Sequence, residues 1–163
     1  MTTQIQLEVY FHKARNLIPS DFNGKSDPYC KVLLEGKKLG TCKKKKKTLN
    51  PVWNERKSFK LKGTFEELYH KHVSINVMDW DMISRDDFIG SWKGIQLCEL
   101  PPNKEVQYID KLTKVPQGSL NISLKLVTPK EVQTKWEEKK RKKRKDLEKK
   151  KRKALSRTKK STN

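Results

Sequence analysis

Residues 4 to 11 read Gln4-Ile5-Gln6-Leu7-Glu8-Val9-Tyr10-Phe11, polar and apolar in turn. A period of two places every second side chain on one face of an extended chain, so this stretch predicts a half-buried β-strand and argues against a helix. Working outward, the same reading gives strands near residues 28–34, 39–47, 56–62, 72–79, 88–97, 105–112 and 118–127. Segments rich in Gly, Asn, Asp, Ser and Pro separate them. Eight short strands with such breaks predict an all-β fold, an eight-stranded antiparallel β-sandwich.

Strands joined by short connections run antiparallel, so every connection from an odd to an even strand emerges at one end. Three loops, 17–27, 48–55 and 79–87, are therefore expected to meet there. The first carries Asp21 and Asp27, and the third carries Asp79, Asp81, Asp86 and Asp87. Carboxylates gathered at one end repel one another and raise each other's pKa unless a cation resolves them. Calcium suits loop carboxylates and carbonyls, taking about six to eight hard oxygens in a flexible shell. Zinc would call for His or Cys, and the spacing from Asp79 does not follow an EF-hand, because Ser84 stands at the turn glycine and Gly90 at the bidentate Glu. The plainer alternative is that these aspartates are ordinary turn residues.

The chain has 163 residues, 39 Lys+Arg against 19 Asp+Glu, and a formal net charge of +20. Residues 130–163 hold 17 basic against 5 acidic side chains, which divides the chain into a domain at 1–129 and a Lys/Arg-rich tail at 130–163. Such a charge favours polyanionic partners, anionic lipid or nucleic acid. In the tail, Glu131/Lys135, Glu137/Arg141, Glu138/Lys142, Asp146/Lys150 and Glu148/Arg152 form i,i+4 pairs, so it is expected to be a solvated helix or disordered. Lys139, Lys140, Arg141, Lys142, Lys143, Arg144 and Lys145 are its candidate polyanion contacts. A lipid tether, a nucleic-acid clamp, a nuclear-import patch and no dedicated role all remain open.

Three cysteines, Cys30, Cys42 and Cys98, lack C-x-x-C spacing, which suggests a reducing compartment. No signal-peptide core, bilayer-spanning stretch or lipidation motif is legible, so membrane contact is expected to be peripheral. His12, His70 and His72 stand apart from the cysteines, and G-x-S-x-G, H-E-x-x-H and Walker A spacings are missing, so no enzyme is expected.

The motifs resemble those of C2 domains, as in protein kinase C, synaptotagmins and cytosolic phospholipases. The resemblance runs over residues 4–127 and rests on Ala14-Arg15-Asn16-Leu17, on Asp21 with Gly24-Lys25-Ser26-Asp27-Pro28-Tyr29-Cys30-Lys31-Val32, and on Thr48-Leu49-Asn50-Pro51-Val52-Trp53-Asn54-Glu55. It continues in Val77-Met78-Asp79-Trp80-Asp81 and Asp87-Phe88-Ile89-Gly90. With one strand before the first loop and Gly118–Leu126 last, it implies the permuted type II topology.

The resemblance also implies two or three calcium ions held by Asp21, Asp27, Asp79, Asp81 and Asp87, with the Trp80 carbonyl and the Ser84 hydroxyl as further ligands and Asp86 beside the site. Calcium would recruit a cytoplasmic protein to anionic membrane, phosphatidylserine above all, the nucleus being the alternative location. Phe22, Met82 and Ile83 are the candidate inserting residues, unless Phe22 or Ile83 packs beneath its own loop. Lys37, Lys38 and Lys43, Lys44, Lys45, Lys46 and Lys47 would form a basic stripe on the third strand for anionic lipid, or merely guard an edge strand. Tyr29, Lys31 and Lys43 match phosphoinositide contacts of the family, whereas Leu33, Thr41 and Met78 depart from that pattern. Protein partners are not legible.

Overall fold

A computed structural model describes residues 4–20 and 23–161. The chain divides into two compact units, Met1–Thr128 and Pro129–Asn163. In the first unit the strands are β1 (Ile5–Arg15), β2 (Pro28–Leu34), β3 (Lys37–Thr41), β4 (Val52–Leu61), β5 (His72–Asp79), β6 (Asp87–Gln96), β7 (Glu105–Lys111) and β8 (Ser119–Val127). They form two antiparallel sheets of four, ordered β4-β1-β8-β7 and β3-β2-β5-β6. The last strand lies against the first, Gln6 opposite Val127, as the type II arrangement requires.

The alternation of β1 sends Ile5, Leu7, Val9 and Phe11 inward. Leu120, Ile122, Leu124 and Leu126 of β8 join them, facing Val73, Ile75 and Val77 of β5 across the core. All eleven are essentially inaccessible, and each contributes about 1.5–3 kcal/mol of burial. The strand runs four residues beyond the alternation because the register shifts between Phe11 and Lys13, a bulge that resets the inward face at Ala14. A second register shift, between Val73 and Ile75 of β5 where it pairs with β6, depends on Gly94: at φ +79 it sits where a Cβ would lie 1.8 Å from the Val73 carbonyl oxygen.

The third strand differs from expectation. It spans Lys37–Thr41, and Lys43–Lys47 belong to the following loop, 42–51. Five consecutive lysines supply no apolar alternate for an inner face, so the regular strand ends beside Cys42, the last buried side chain. The fourth strand accordingly starts at Val52, not 56, taking in Trp53, whose indole N–H donates to the Pro28 carbonyl at 3.2 Å. A short helix, α1 (Phe65–Tyr69), fills the connection before β5; Thr64 and Glu67 cap it reciprocally, and Leu68 and Tyr69 are buried. In the second unit, Lys130–Lys160 forms one long helix, α2.

Candidate functional site

The loops 16–27, 42–51 and 80–86 meet at one end of the sandwich through backbone bonds. The Trp80 N–H donates to the Asp27 carbonyl at 3.0 Å, Thr48 N–H to the Ser26 carbonyl at 2.8 Å, and Leu17 N–H to the Leu49 carbonyl at 3.0 Å. Pairing places Pro28 opposite Asp79 and Asp79 opposite Asp87, so aspartates close three adjacent strands: Asp27 just before β2, Asp79 ending β5 and Asp87 opening β6.

Asp79 is 2% exposed. A buried carboxylate needs donors, and it has two: the Asp27 amide at 2.6 Å from Oδ1 and the Ser20 hydroxyl on Oδ2. Ser26, fully buried, accepts from the Ser20 amide and donates to the Ile18 carbonyl, which ties loop one to the same network. Asp27 Oδ1 accepts from the Lys47 amide at 2.7 Å. Asp81 accepts from the Ile83 amide at 2.9 Å, and from the amide and hydroxyl of Ser84. The Ile83 amide foremost, then Ser84, holds the Asp81 carboxyl below its ordinary pKa.

Asp86 is more than a bystander. It accepts from the Tyr29 hydroxyl and, at 3.0 Å, from the Asp81 amide. Burial, then Asp86, pushes the Tyr29 hydroxyl well above its ordinary pKa. Sequence reading passed over this link and over Ser20. The adjacency of Asp86 to Asp87 was the only pointer to the first, and nothing local marked the second. The most exposed apolar side chains of loop three are Met82, 78% accessible, and Ile83, 91% accessible, so Ile83 does not pack beneath its loop. Asp21 and Phe22 lie outside the described residues.

Charge is distributed unevenly. Lys37, Lys38, Lys43 and Lys45–Lys47 are exposed, Lys31 is half-buried on β2, and Lys44 reaches over the Trp80 ring with its Nζ 2.8 Å from the centroid. Among the described residues, no lysine or arginine forms an ion pair with Asp27, Asp79, Asp81, Asp86 or Asp87; Arg56 instead pairs with Glu8 and Glu105 on the other sheet. The donor set, hard oxygens with no cationic side chain among them, fits a hard divalent ion. Among the described residues, however, no three acidic, His or Cys side chains converge on one point. Both oxygens of Asp79, Asp81 and Asp86 and one oxygen of Asp27 instead accept the hydrogen bonds described above.

A two-sheet sandwich with charged loops converging at one end defines a class of small β-modules. The C2 domain family model matches residues 5–112, and the chain belongs to that family. Protein kinase C, eye isozyme, of Drosophila melanogaster is 46% identical over 90 residues, 53% of this chain and 12% of that protein. Synaptotagmin-3 of Rattus norvegicus is 37% identical over 128 residues, 73% of this chain and 21% of that protein. Most of each relative therefore lies outside the shared region. Among solved structures, the calcium-bound tandem C2 domains of extended synaptotagmin 2 align with a TM-score of 0.63 at 26% identity, covering 77% of this chain and 46% of theirs. A single C2 domain of plant extended synaptotagmin 1 shares the fold, with a TM-score of 0.66 at 24% identity over 79% of this chain and 98% of that one.

Proposed function

We propose that this chain is a peripheral module that binds anionic phospholipid membranes in response to calcium, recruited to them from the cytoplasm. Residues 1–129 act as the C2 unit and residues 130–163 as a basic accessory. Asp21, Asp27, Asp79, Asp81 and Asp87 would hold two or three ions, with the Trp80 carbonyl and Ser84 hydroxyl in support. When bound, calcium supplies positive charge that offsets the carboxylates and offers coordination to lipid phosphate oxygens. The observation that carries the reading is the row of aspartates across three strands, left without a cationic side-chain partner among the described residues in a protein of net charge +20.

The surrounding residues support it. Met82 and Ile83 project where a bilayer interface would accept them, and Lys37, Lys38, Lys43 and Lys45–Lys47 contribute attraction of about 1 kcal/mol each near an anionic leaflet. Among the described residues no helix is long and apolar enough to cross a membrane. We read the module as a binder and not an enzyme. The Ser–His pair it contains, Ser123 with His12 Nε2 at 2.8 Å, has its serine buried within the sheet.

The test is co-sedimentation of the full chain with phosphatidylserine vesicles at physiological salt, in calcium and in chelator, for the unaltered protein, Asp79→Asn, and a tail variant with Lys139–Lys145 changed to Gln. Calcium-dependent sedimentation lost in Asp79→Asn and kept in the tail variant supports the reading. Sedimentation that ignores calcium and disappears only in the tail variant overturns it.

A second reading applies to α2 alone. Successive residues turn about 100° around a helix, so Lys142, Lys143, Arg144 and Lys145 face different sides, and everything from Arg141 to Ser161 is exposed. A groove with phosphates on both walls can engage more of that circumference than a flat membrane can. Salt-dependent binding to duplex DNA, lost in the tail variant, would favour it.

A further inference from the structure

Between β2, β3 and loop three lies a pocket of about 250 Å³, and its lining is of mixed charge: Lys38 and Lys44 are basic, Asp86 is acidic, and Tyr29, Thr41 and Trp80 stand among them. Asp86 cannot readily swing away, because one oxygen takes the Tyr29 hydroxyl and the other the Asp81 amide. The Trp80 ring already holds an ammonium group, that of Lys44.

A ligand that is purely polyanionic would meet the two lysines and also a fixed carboxylate. A phosphate ester that carries its own ammonium group satisfies both: its phosphate neutralises Lys38 and Lys44 while its ammonium takes the place of the Lys44 ammonium over Trp80, beside Asp86. The volume falls just under the usual range of about 300–1,000 Å³ for small-molecule pockets, which suits a headgroup-sized ligand.

We propose that this pocket binds the phosphate ester of an amino alcohol, phosphoserine or phosphoethanolamine in kind, in preference to inositol polyphosphates, and that Asp86 sets that preference. The inference rests on the membrane reading only in taking a lipid headgroup as one source of the ligand; a free phospho-amino compound is the other.

The test follows the Thr41 amide and the Trp80 indole of the full chain by NMR during titration with O-phosphoserine, phosphoethanolamine or inositol trisphosphate, without vesicles and in chelator. The amino-alcohol phosphates are expected to bind more tightly. Asp86→Asn should move the ratio by about fivefold toward inositol trisphosphate, the effect of one charge at close range in water. Lys38→Gln, an exposed lining position on β3 and not on loop three, should weaken every phosphate while keeping the order, so a disturbed loop in Asp86→Asn would not leave the question open. Tighter binding of inositol trisphosphate by the unaltered chain, an unchanged order in Asp86→Asn, or unmoved pocket signals would overturn the inference. If the signals stay unmoved while vesicles still sediment the chain with calcium, this inference fails and the membrane reading stands. If phosphoserine binds but vesicles do not, the inference stands with a free compound as its ligand.

Discussion

The aspartate loops and α2 each concentrate charge of one sign, yet they hold it differently. At the loop end, Asp79 is buried and fixed by two named donors, and Asp27 and Asp81 are fixed by backbone amides. Along α2, basic side chains repeat on every side, and those from Arg141 onward stay exposed. Charge at the loops depends on position and charge on the helix is redundant, so single substitutions should separate the two regions sharply.

The largest effect is expected for Asp79→Ala. It strands the Asp27 amide and the Ser20 hydroxyl, and urea denaturation in chelator should show a loss of about 1–3 kcal/mol before calcium enters the question. A cost no greater than that of a helix lysine would break the comparison. Ser20→Ala removes one donor and leaves Oδ1 of Asp79 satisfied, so it should cost about 1 kcal/mol in the same measurement.

Acidification separates the units by another route. Burial foremost, with Arg56 and Lys13 opposing Glu105, lowers the His12 pKa from 6.5 in the folded sandwich. The unfolded chain thus binds the proton more readily. Stability is full above pH 6.5 and falls as the pH drops below it toward the folded value. Thermal melts followed by the near-ultraviolet signal of the sandwich should shift down between about pH 7.5 and pH 5, less so in His12→Gln. The far-ultraviolet helix signal of α2, which contains no histidine, should not follow. The smallest effect belongs to Lys142→Gln, at most about 1 kcal/mol of vesicle or duplex affinity and less at physiological salt.

Much of the sandwich was legible because alternation is a property of the residues themselves: β2 and β5 fall at the residues where period two placed them. The third strand was misread where composition misleads, since Lys43–Lys47 look like the polar face of a strand but lack an inner face. Helix α1 escaped because five residues are too few to show a period, although the Thr64…Glu67 capping pair was in view. The loops that meet were foreseeable from antiparallel topology. The partners of the aspartates were not, because Ser20 reaches Asp79 across 59 residues and Tyr29 reaches Asp86 across 57, and neither bond leaves a local trace.

The pairing of the first strand with the last also has a mechanical side. Gln6 lies opposite Val127, so the first strand starts and the last strand finishes at the end of the sandwich remote from the aspartates. A force applied through those ends would load the hydrogen bonds between β1 and β8 one at a time, as a zipper opens, instead of shearing them together. Under such a force the sandwich would yield first at that end, while the opposite rim, where the aspartates sit, would be the last to feel the pull.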